Sequence, residues 1–456
     1  MRILIYGINF YPEPTGVGKY TGEMTQWFAG RGHEVRVVTA PPSYPLWRVF
    51  PGYRSWKYSR ETFRPQNGNG TSARGGPDPA PGIEVFRCPI WIPKNPNGLK
   101  RLLHLASFGL SSVLAISRQI GWPPDIVLLV EPTLFCALQT LLVAYWSGAK
   151  AWLHIQDFEV DAAFGLGDLS LSPVRGFAFA AESRIMSAFH RVSAISKRMV
   201  DRLSVKGVDP SRCILFPNWV DTGEIFPLEG PSPFRKEFGI AESAVVALYS
   251  GSMGKKHGLE LLVDVASRLS HCAGLRFVFC GEGPSRQMLA DKARNLLNVT
   301  LLPVQPVDRL NDLLNLADIH LLPQLADAAD LVMPSKLTGM MASGRAIIAT
   351  ALPGTQLFEA LEGAGIVTPP GDVNAFVSAL LRLVEEPALR RLLGEAGRSY
   401  AVSHLNREEI LHRFERSMLD VCGISSPDSG ALSRAGQRGE LAVKERAMAA
   451  STIGED

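Results

Sequence analysis

No CxxC pair occurs in this 456-residue chain, and its six cysteines, at 88, 136, 213, 272, 280 and 422, show no zinc-like spacing with histidine. They read as reduced, mostly buried thiols of a cytosolic protein. Charge of either sign is not in excess: the formal net charge of +3 is too small over this length for a nucleic-acid surface, and no basic stripe is interleaved with aromatics. A basic-then-apolar leader is missing before the strand-like opening, so secretion is not expected. The longest apolar run is a little short for a membrane span. This run, Thr133 to Lys150, carries Gln139, ends in Ser-Gly and is expected to form a buried helix of an α/β core. The GxSxG elbow is missing too, which removes the hydrolase nucleophile, and no HxH or HxxxE constellation demands a metal.

What the chain does have is substance for large cores: 46% hydrophobic residues, 20% charged, and abundant Gly and Pro. Its length suits two domains of roughly 200 residues each. Strand-like runs alternate with helix-like ones, from "RILIYGI", "HEVRVVTA", "DIVLLVEP", "AWLHIQD", "RVSAIS" and "CILFPN" to a fresh series beginning "AVVALYSG", "RFVFCGEG" and "NVTLLP". This alternation predicts parallel sheets with helices on both faces. The expected fold class is α/β, with two doubly wound Rossmann-like domains facing an interdomain cleft. The first spans 1–215, a Pro- and Gly-rich linker 216–243, the second 244–402, and a terminal helix 403–422 is expected to pack back onto the first domain. A low-complexity insert at about 60–82 and a tail at 423–456 are expected to stay disordered, apart from a short helix around Gly439 to Ala450.

The stretch "FYPEPTGVGKYTGE", Phe10 to Glu23, follows the first strand and opens a helix, where nucleotide-binding loops sit. It is not a Walker loop. Glu13 stands where that loop needs Gly, and Tyr20 where it needs Ser or Thr. The stretch "GVGKYTG" also lacks the dinucleotide GxGxxG spacing, and no acid ends the second strand, which disfavours a dehydrogenase. "SGSMGKKHG" puts a Gly-Ser-Met-Gly loop and two lysines before an amphipathic helix, and "MPSKL" puts Ser335 and Lys336 at a helix start; both suit an anion, although a solvated loop and simple capping are the plainer readings. In "HIQDFEVD", His154 and Asp157 could reach a cleft from a strand end and act on a sugar hydroxyl or leaving phosphate, while a structural histidine reads equally well. "GEGP" alone is also just a good turn.

Taken in order, "PTGVGKYTGEMTQWFAGRGHEVRVVTA", "SGSMGKKHGLELLVDVA", "FVFCGEGPSRQML", "NVTLLPVQPVDRLNDLLNLADIHLLPQ" and "MPSKLTGMMASGRAIIATALPGT" resemble the retaining glycosyltransferases of family four, of GT-B fold. The likeness covers about residues 1 to 420 and is strongest to the colanic-acid-type exopolysaccharide transferases, a fucosyltransferase branch. It implies a nucleotide-diphospho-sugar donor, GDP- or UDP-linked, held mainly by the second domain. It further implies an acceptor held mainly by the first, transfer with retention, and no cofactor or catalytic metal. On that likeness Gly16, Val17 and Gly18 face the donor diphosphate and sugar, and His154 points at the reacting sugar. Lys255 and Lys256 supply the cation for the diphosphate, Glu282 and Val304 line the nucleotide side, and Ser335, Lys336 and Leu337 form the phosphate-binding helix start.

Two positions depart from the family. Gly251 is followed by Ser252 where an Arg is usual, and the Glu-x7-Glu pair falls on Leu331 and Gly339, with Asp330 the nearest acid. Those departures keep a non-catalytic nucleotide-sugar or transferase-binding protein in view. A nucleotide-sugar 2-epimerase shares the architecture, and only residues 154–161 could supply its acid and base. The acceptor implied by the family branch is lipid-linked, so the protein is expected in the cytoplasm at the inner face of the membrane. "NGLKRLLHLASFGLSSVLAISRQIGW", with Lys94, Lys100, Arg101 and Arg118 in and beside it, is the candidate surface helix.

Overall fold

The computed structural model describes residues 1–63, 82–94, 98–132, 134–158, 172–254, 257–326 and 334–425. Strands β1 (Arg2–Tyr6), β2 (Glu34–Thr39), β3 (Ser59–Phe63), β4 (Ile83–Arg87), β5 (Ile126–Val130), β6 (Lys150–Ile155), β7 (Arg191–Ala194) and β8 (Cys213–Leu215) form one sheet in the order β3-β4-β2-β1-β5-β6-β7-β8. Every neighbouring pair is parallel except β3 with β4. Helices α1 (Gly16–Gly30), α2 (Gly98–Ser117), α3 (Ala137–Ser147), α4 (Ser172–Ser187) and α5 (Lys197–Val205) provide the crossovers. The central strands β1 and β5 read as continuous Ile/Leu/Val runs because both faces of the sheet are covered.

Helix α6 (Pro233–Glu237) leads into β9 (Val245–Ser250), α7 (Glu260–Arg268), β10 (Leu275–Cys280), α8 (Arg286–Ala293), β11 (Val299–Leu302), α9 (Leu310–Leu314) and β12 (Ile319–Leu322). Then come α10 (Ser335–Ala342), β13 (Ala346–Thr350), α11 (Gln356–Ala360), β14 (Ile366–Thr368), α12 (Val373–Glu385), α13 (Pro387–His404) and α14 (Arg407–Cys422). This second sheet is parallel throughout, in the order β11-β10-β9-β12-β13-β14. Each sheet reverses its strand order beside its own first strand, at β1/β5 and at β9/β12. Ligands bind in such α/β sheets beyond the carboxyl ends at these switch points.

Two chain segments join the halves and bond to each other. Val220 N–H donates to Leu405 O at 2.8 Å, Arg407 N–H donates to Val220 O at 3.0 Å, and Arg407 pairs with Asp221 at 2.8 Å. Beyond this crossing, α14 lies on the first half: Ile410, Leu411, Phe414 and Met418 enter the core that holds Phe28, Trp152 and Phe216. Phe414 stacks on Phe216 with centroids 3.6 Å apart and planes 6° from parallel.

The fold differs from the sequence reading at three places. Residues 60–63 belong to the edge strand β3 and not to the insert; Phe63 packs against Phe10 at 6.1 Å while charged neighbours occupy the edge. Strand β4 was hidden behind that insert. Helix α3 is buried on one face only, through Ala137, Thr140, Val143 and Ala144, and leaves Leu138, Leu142, Tyr145 and Trp146 exposed. The bulk of the insert and the tail from 426 lie outside the described residues.

Candidate active site

The loop after β1 is built on a buried carboxylate. Glu13 Oε1 accepts the backbone N–H groups of Ser43 and Tyr44, both at 2.9 Å, and Oε2 accepts the Asn9 side-chain amide at 2.9 Å. With 3% of its surface exposed, Glu13 has its pKa pushed up by burial, against the pull of these hydrogen bonds and Arg87. Arg87 is itself buried, donating to the carbonyls of Ala40 at 2.9 Å and Tyr11 at 2.7 Å. The carboxylate thus ties the 7–15 loop to the 43–44 loop and leaves no room above it. A Cβ on Gly18 would meet Glu13 Oε2 at 2.4 Å, and Gly16, at φ +64°, sits against the Tyr44 ring. Helix α1 therefore starts close to this loop, with Thr15 as N-cap making no side-chain bond and no acidic residue in the first turn. The Glu13 carboxylate itself lies against this positive dipole end.

Tyr44 and Asp157 belong to the same mouth. Burial raises the Tyr44 hydroxyl, Arg101 opposes that shift, and Asp157 and Glu13 add to it, so the four groups share one electrostatic environment. Asp157 is exposed just past the end of β6. His154 is not placed as expected. It lies within β6, 2% exposed, with Nδ1–H donating to Ser193 Oγ at 3.0 Å and Nε2 accepting from the Gln156 amide at 3.0 Å. Phe216 covers the ring at 4.8 Å. Burial drives its pKa down to about 3. The physical reason is register: β6 runs through Ile155, so His154 sits one residue inside the strand and faces the layer covered by α14.

The opposite wall is made by two glycine loops in backbone contact. Gly251 N–H donates to Cys280 O at 2.9 Å, Met253 N–H to Glu282 O at 2.8 Å, and Ser285 N–H to Met253 O at 2.9 Å. A Cβ on Gly281 would stand 1.9 Å from Gly251 O, so only glycine allows the loops to close on each other. Lys336, in the first turn of α10, reaches back over this wall. Its Nζ donates to Tyr249 Oη at 2.6 Å and to Ser252 O at 3.2 Å, and lies 4.3 Å from the Tyr249 ring centroid. Helix α10 has no side-chain cap and no acid in its first turn, and Ser335 is exposed there. Leu337 is different: its side chain is fully buried in the core and its N–H already donates to Pro334 O at 2.9 Å, so it supports the helix start from behind.

Glu282 is half-exposed and pairs with Arg286 at 3.2 Å, while Val304 is exposed on the neighbouring loop after β11. Gly339 sits on α10 against Leu314. Lys255, Lys256, Asp330 and Leu331 lie outside the described residues, as do Glu159 and Asp161. Among the described residues no cluster of three His, Cys, Asp or Glu side chains could hold a metal.

The two walls meet. Arg198 at the start of α5 pairs with Glu359 on α11 at 2.5 Å, and burial raises the pKa of the Tyr20 hydroxyl while the nearby Thr338 side chain on α10 is among the groups that pull it back. Tyr20 is one turn into α1 and Thr338 one turn into α10, so the two halves approach each other near these helices. Sequence reading passed over Glu13, Tyr44 and the approach of Tyr20 to Thr338. Glu13 was visible in the loop but counted only as the glycine a Walker motif lacks, and the partners of all three are remote in sequence.

Residues 15–219 match the glycosyl transferase 4-like domain and residues 244–386 match the glycosyl transferases group 1 domain. The chain is 39% identical over 424 residues to a protein of Escherichia coli (strain K12) named as a colanic acid biosynthesis glycosyl transferase, WcaI, covering 91% of this chain and 98% of that one. It is 22% identical over 418 residues to N-acetyl-alpha-D-glucosaminyl L-malate synthase of Bacillus anthracis, covering 91% and 96%. In fold it is similar to sucrose-phosphate synthase from Thermosynechococcus elongatus, with a TM-score of 0.70 at 15% identity over 93% of this chain and all of that one. The Anabaena HepE structure in complex with UDP and glucose superposes with a TM-score of 0.63 at 13% identity, over 92% of this chain and 100% of that one. With two domain models in the expected order and a 39% identical relative spanning nearly its whole length, the chain belongs to the family-four glycosyltransferases of GT-B fold.

Proposed function

We propose that this glycosyltransferase moves a sugar from a GDP- or UDP-linked donor, with retention of configuration, onto a lipid-linked exopolysaccharide acceptor of the colanic-acid type. The observation that carries the reading is the start of α10, which has no side-chain cap and no acid in its first turn and holds the Lys336 ammonium over Tyr249 and the Ser252 carbonyl of the facing glycine loop. A diphosphate bound there would meet the backbone N–H groups that open α10 and the Lys336 ammonium, which offsets the charge that develops on the leaving nucleotide. Lys255 and Lys256 are the further cations proposed for that role, and Asp157 the acidic group nearest the sugar. The names of the relatives support the donor class and the polymer.

Thermal unfolding with GDP, UDP and their sugars tests the reading, because a ligand that binds only the folded state raises the midpoint with occupancy. A matched donor should shift it and be consumed, and proton NMR of the product should show the donor's anomeric configuration. A shift without turnover on any acceptor would favour the non-catalytic alternative suggested by Gly339. Inverted product would overturn the retaining mechanism.

A further inference from the structure

Helix α2 is apolar on two opposite faces, and only one of them has a partner in the chain. Its inner side, through His104, Phe108, Ser112 and Ile116, closes onto the first sheet, where Ser112 Oγ lies 2.5 Å from Tyr6 Oη. At 3.6 residues per turn, Leu99, Leu103, Leu110 and Leu114 fall within about 60° of arc on the other side. All four are exposed, Leu110 by 77%. Helix α3 repeats the pattern. Leu138, Leu142, Tyr145 and Trp146 recur at helical spacing on its outer face, with Tyr145 exposed by 81% and Trp146 by 62%. The helices are neighbours: Gln139 donates to Gly109 O at 2.9 Å, and a Cβ on Gly109 would meet Phe135 at 3.3 Å. Their outer stripes therefore form one apolar surface, larger than the scattered single side chains ordinary for a soluble protein.

From Cys88 through Pro124 the chain carries Lys94, Lys100, Arg101 and Arg118 and no Asp or Glu. Lys94, Lys100 and Arg101 stand at one end of α2 and Arg118 at the other, and all four are exposed. Apolar stripes bordered by cations alone, with Trp and Tyr at the margin, are the chemistry of the interface of an anionic bilayer. The stretch Gly98–Gly121 is long and apolar enough to cross a membrane by length and composition, but its inner face is already committed to the sheet. We infer that the outer face of α2 and α3 docks flat on an anionic lipid surface. The face is not remote from the cleft: Arg101 lies 5.8 Å from the Trp47 ring and within electrostatic range of Tyr44, which touches Gly16. Docking in this orientation deepens the acceptor part of the transferase reading, since it sets the cleft mouth beside the bilayer from which a lipid-linked acceptor would come.

The test is co-sedimentation of the whole chain with phosphatidylglycerol/phosphatidylcholine vesicles and with phosphatidylcholine vesicles alone. Binding is expected to the first, weakened by salt, and little to the second. Leu110→Glu with Leu142→Glu, and separately Lys94→Glu with Arg118→Glu, should each lower the partition constant at least about tenfold, with midpoints of thermal unfolding and donor hydrolysis unchanged. The charge-reversed pair keeps the test open should the leucine pair fail to fold. Absence of wild-type binding to anionic vesicles overturns the inference, as does undiminished binding by both variants. So does a dimer, seen by sedimentation velocity, that the leucine pair dissociates while vesicle binding persists, because a second copy would then be the occupant. Vesicle binding without any nucleotide binding would leave this surface standing and remove the transferase reading.

Discussion

The Glu13 carboxylate occupies the space a side chain on Gly18 would need: the missing Cβ would stand 2.4 Å from Oε2 and 2.6 Å from the Glu13 Cβ. One buried acid thereby determines both the path of the loop and the residue that can open α1. Gly18→Ala is expected to cost about 1–3 kcal/mol through overpacking and to cut transfer more than stability alone explains. In a double-mutant cycle the penalty of Gly18→Ala should shrink in a Glu13→Ala background. Strict additivity in chemical denaturation would show that the two residues are not coupled.

Lys336 bridges Tyr249 and Ser252 at the start of α10. Replacing it by Met keeps the stem on Gly251 and removes the cation. Donor turnover should fall about a hundredfold, the size usual for losing one pre-placed donor to a developing negative charge. Lys336→Arg should recover only part of it, because the fork does not reproduce a point contact. Steady-state kcat for both variants checks this, and wild-type kcat in the Met variant would remove Lys336 from the chemistry.

His154 is a packing group, and its substitution should show in stability. His154→Ala leaves a cavity between Phe216 and Ser193 and is expected to lower the thermal midpoint, while turnover at a permissive temperature stays within a few-fold of wild type. The pH dependence follows from the same burial. The folded pKa is depressed from 6.5 to about 3, so the unfolded chain takes up the proton first. Stability is full above pH 6.5 and drains away as the pH falls toward 3. His320, buried on β12 with Nε2 at 3.0 Å from Ser343 Oγ, shifts in the same direction to about 3. Denaturation from pH 7 to 4 should show a flatter slope in a His154→Gln variant; an unchanged slope would contradict the assignment.

The return of α14 to the first domain rests on Phe414 and Glu415. Phe414→Ala should cost about 3–5 kcal/mol, since it empties the space beneath a stacked ring. Glu415 accepts from Arg31 at 3.2 Å and lies 2.6 Å from His33 Nε2. Burial would raise its pKa, but His33 and Arg31 outweigh that and hold it below the usual range, so its contribution is present above the unfolded value and lost only in acid. Protease nicking after Cys422 at pH 7 should leave α14 docked in the wild type and release it in Phe414→Ala.

The two-sheet architecture was legible because hydrophobic periodicity is local: β1, β5, β9 and β12 announce themselves within a few residues, and the glycine loops after β1 and β9 follow at once. Edge strand β3 was not, because its charged Arg60 and Glu61 blend into the low-complexity residues after Phe63. Among the site residues, Gly16, Gly18, Ser335 and Lys336 were legible from their position before a helix. For His154 the sequence left a cleft-facing and a structural reading both open, because one residue of strand length decides whether a side chain reaches a cleft or a core.

Local sequence alone determined the strands, the helix starts, the glycines and the cations, since these depend on neighbours a few residues away. Only the tertiary structure decided that Tyr20 and Thr338, 318 positions apart by their numbering, come close enough to influence each other. It alone decided that α14 seals His154, and that the leucines of α2 and the aromatics of α3 share one uncovered face. Burial and pairing between remote residues are settled by the packing of whole layers, and no short window of sequence contains that information.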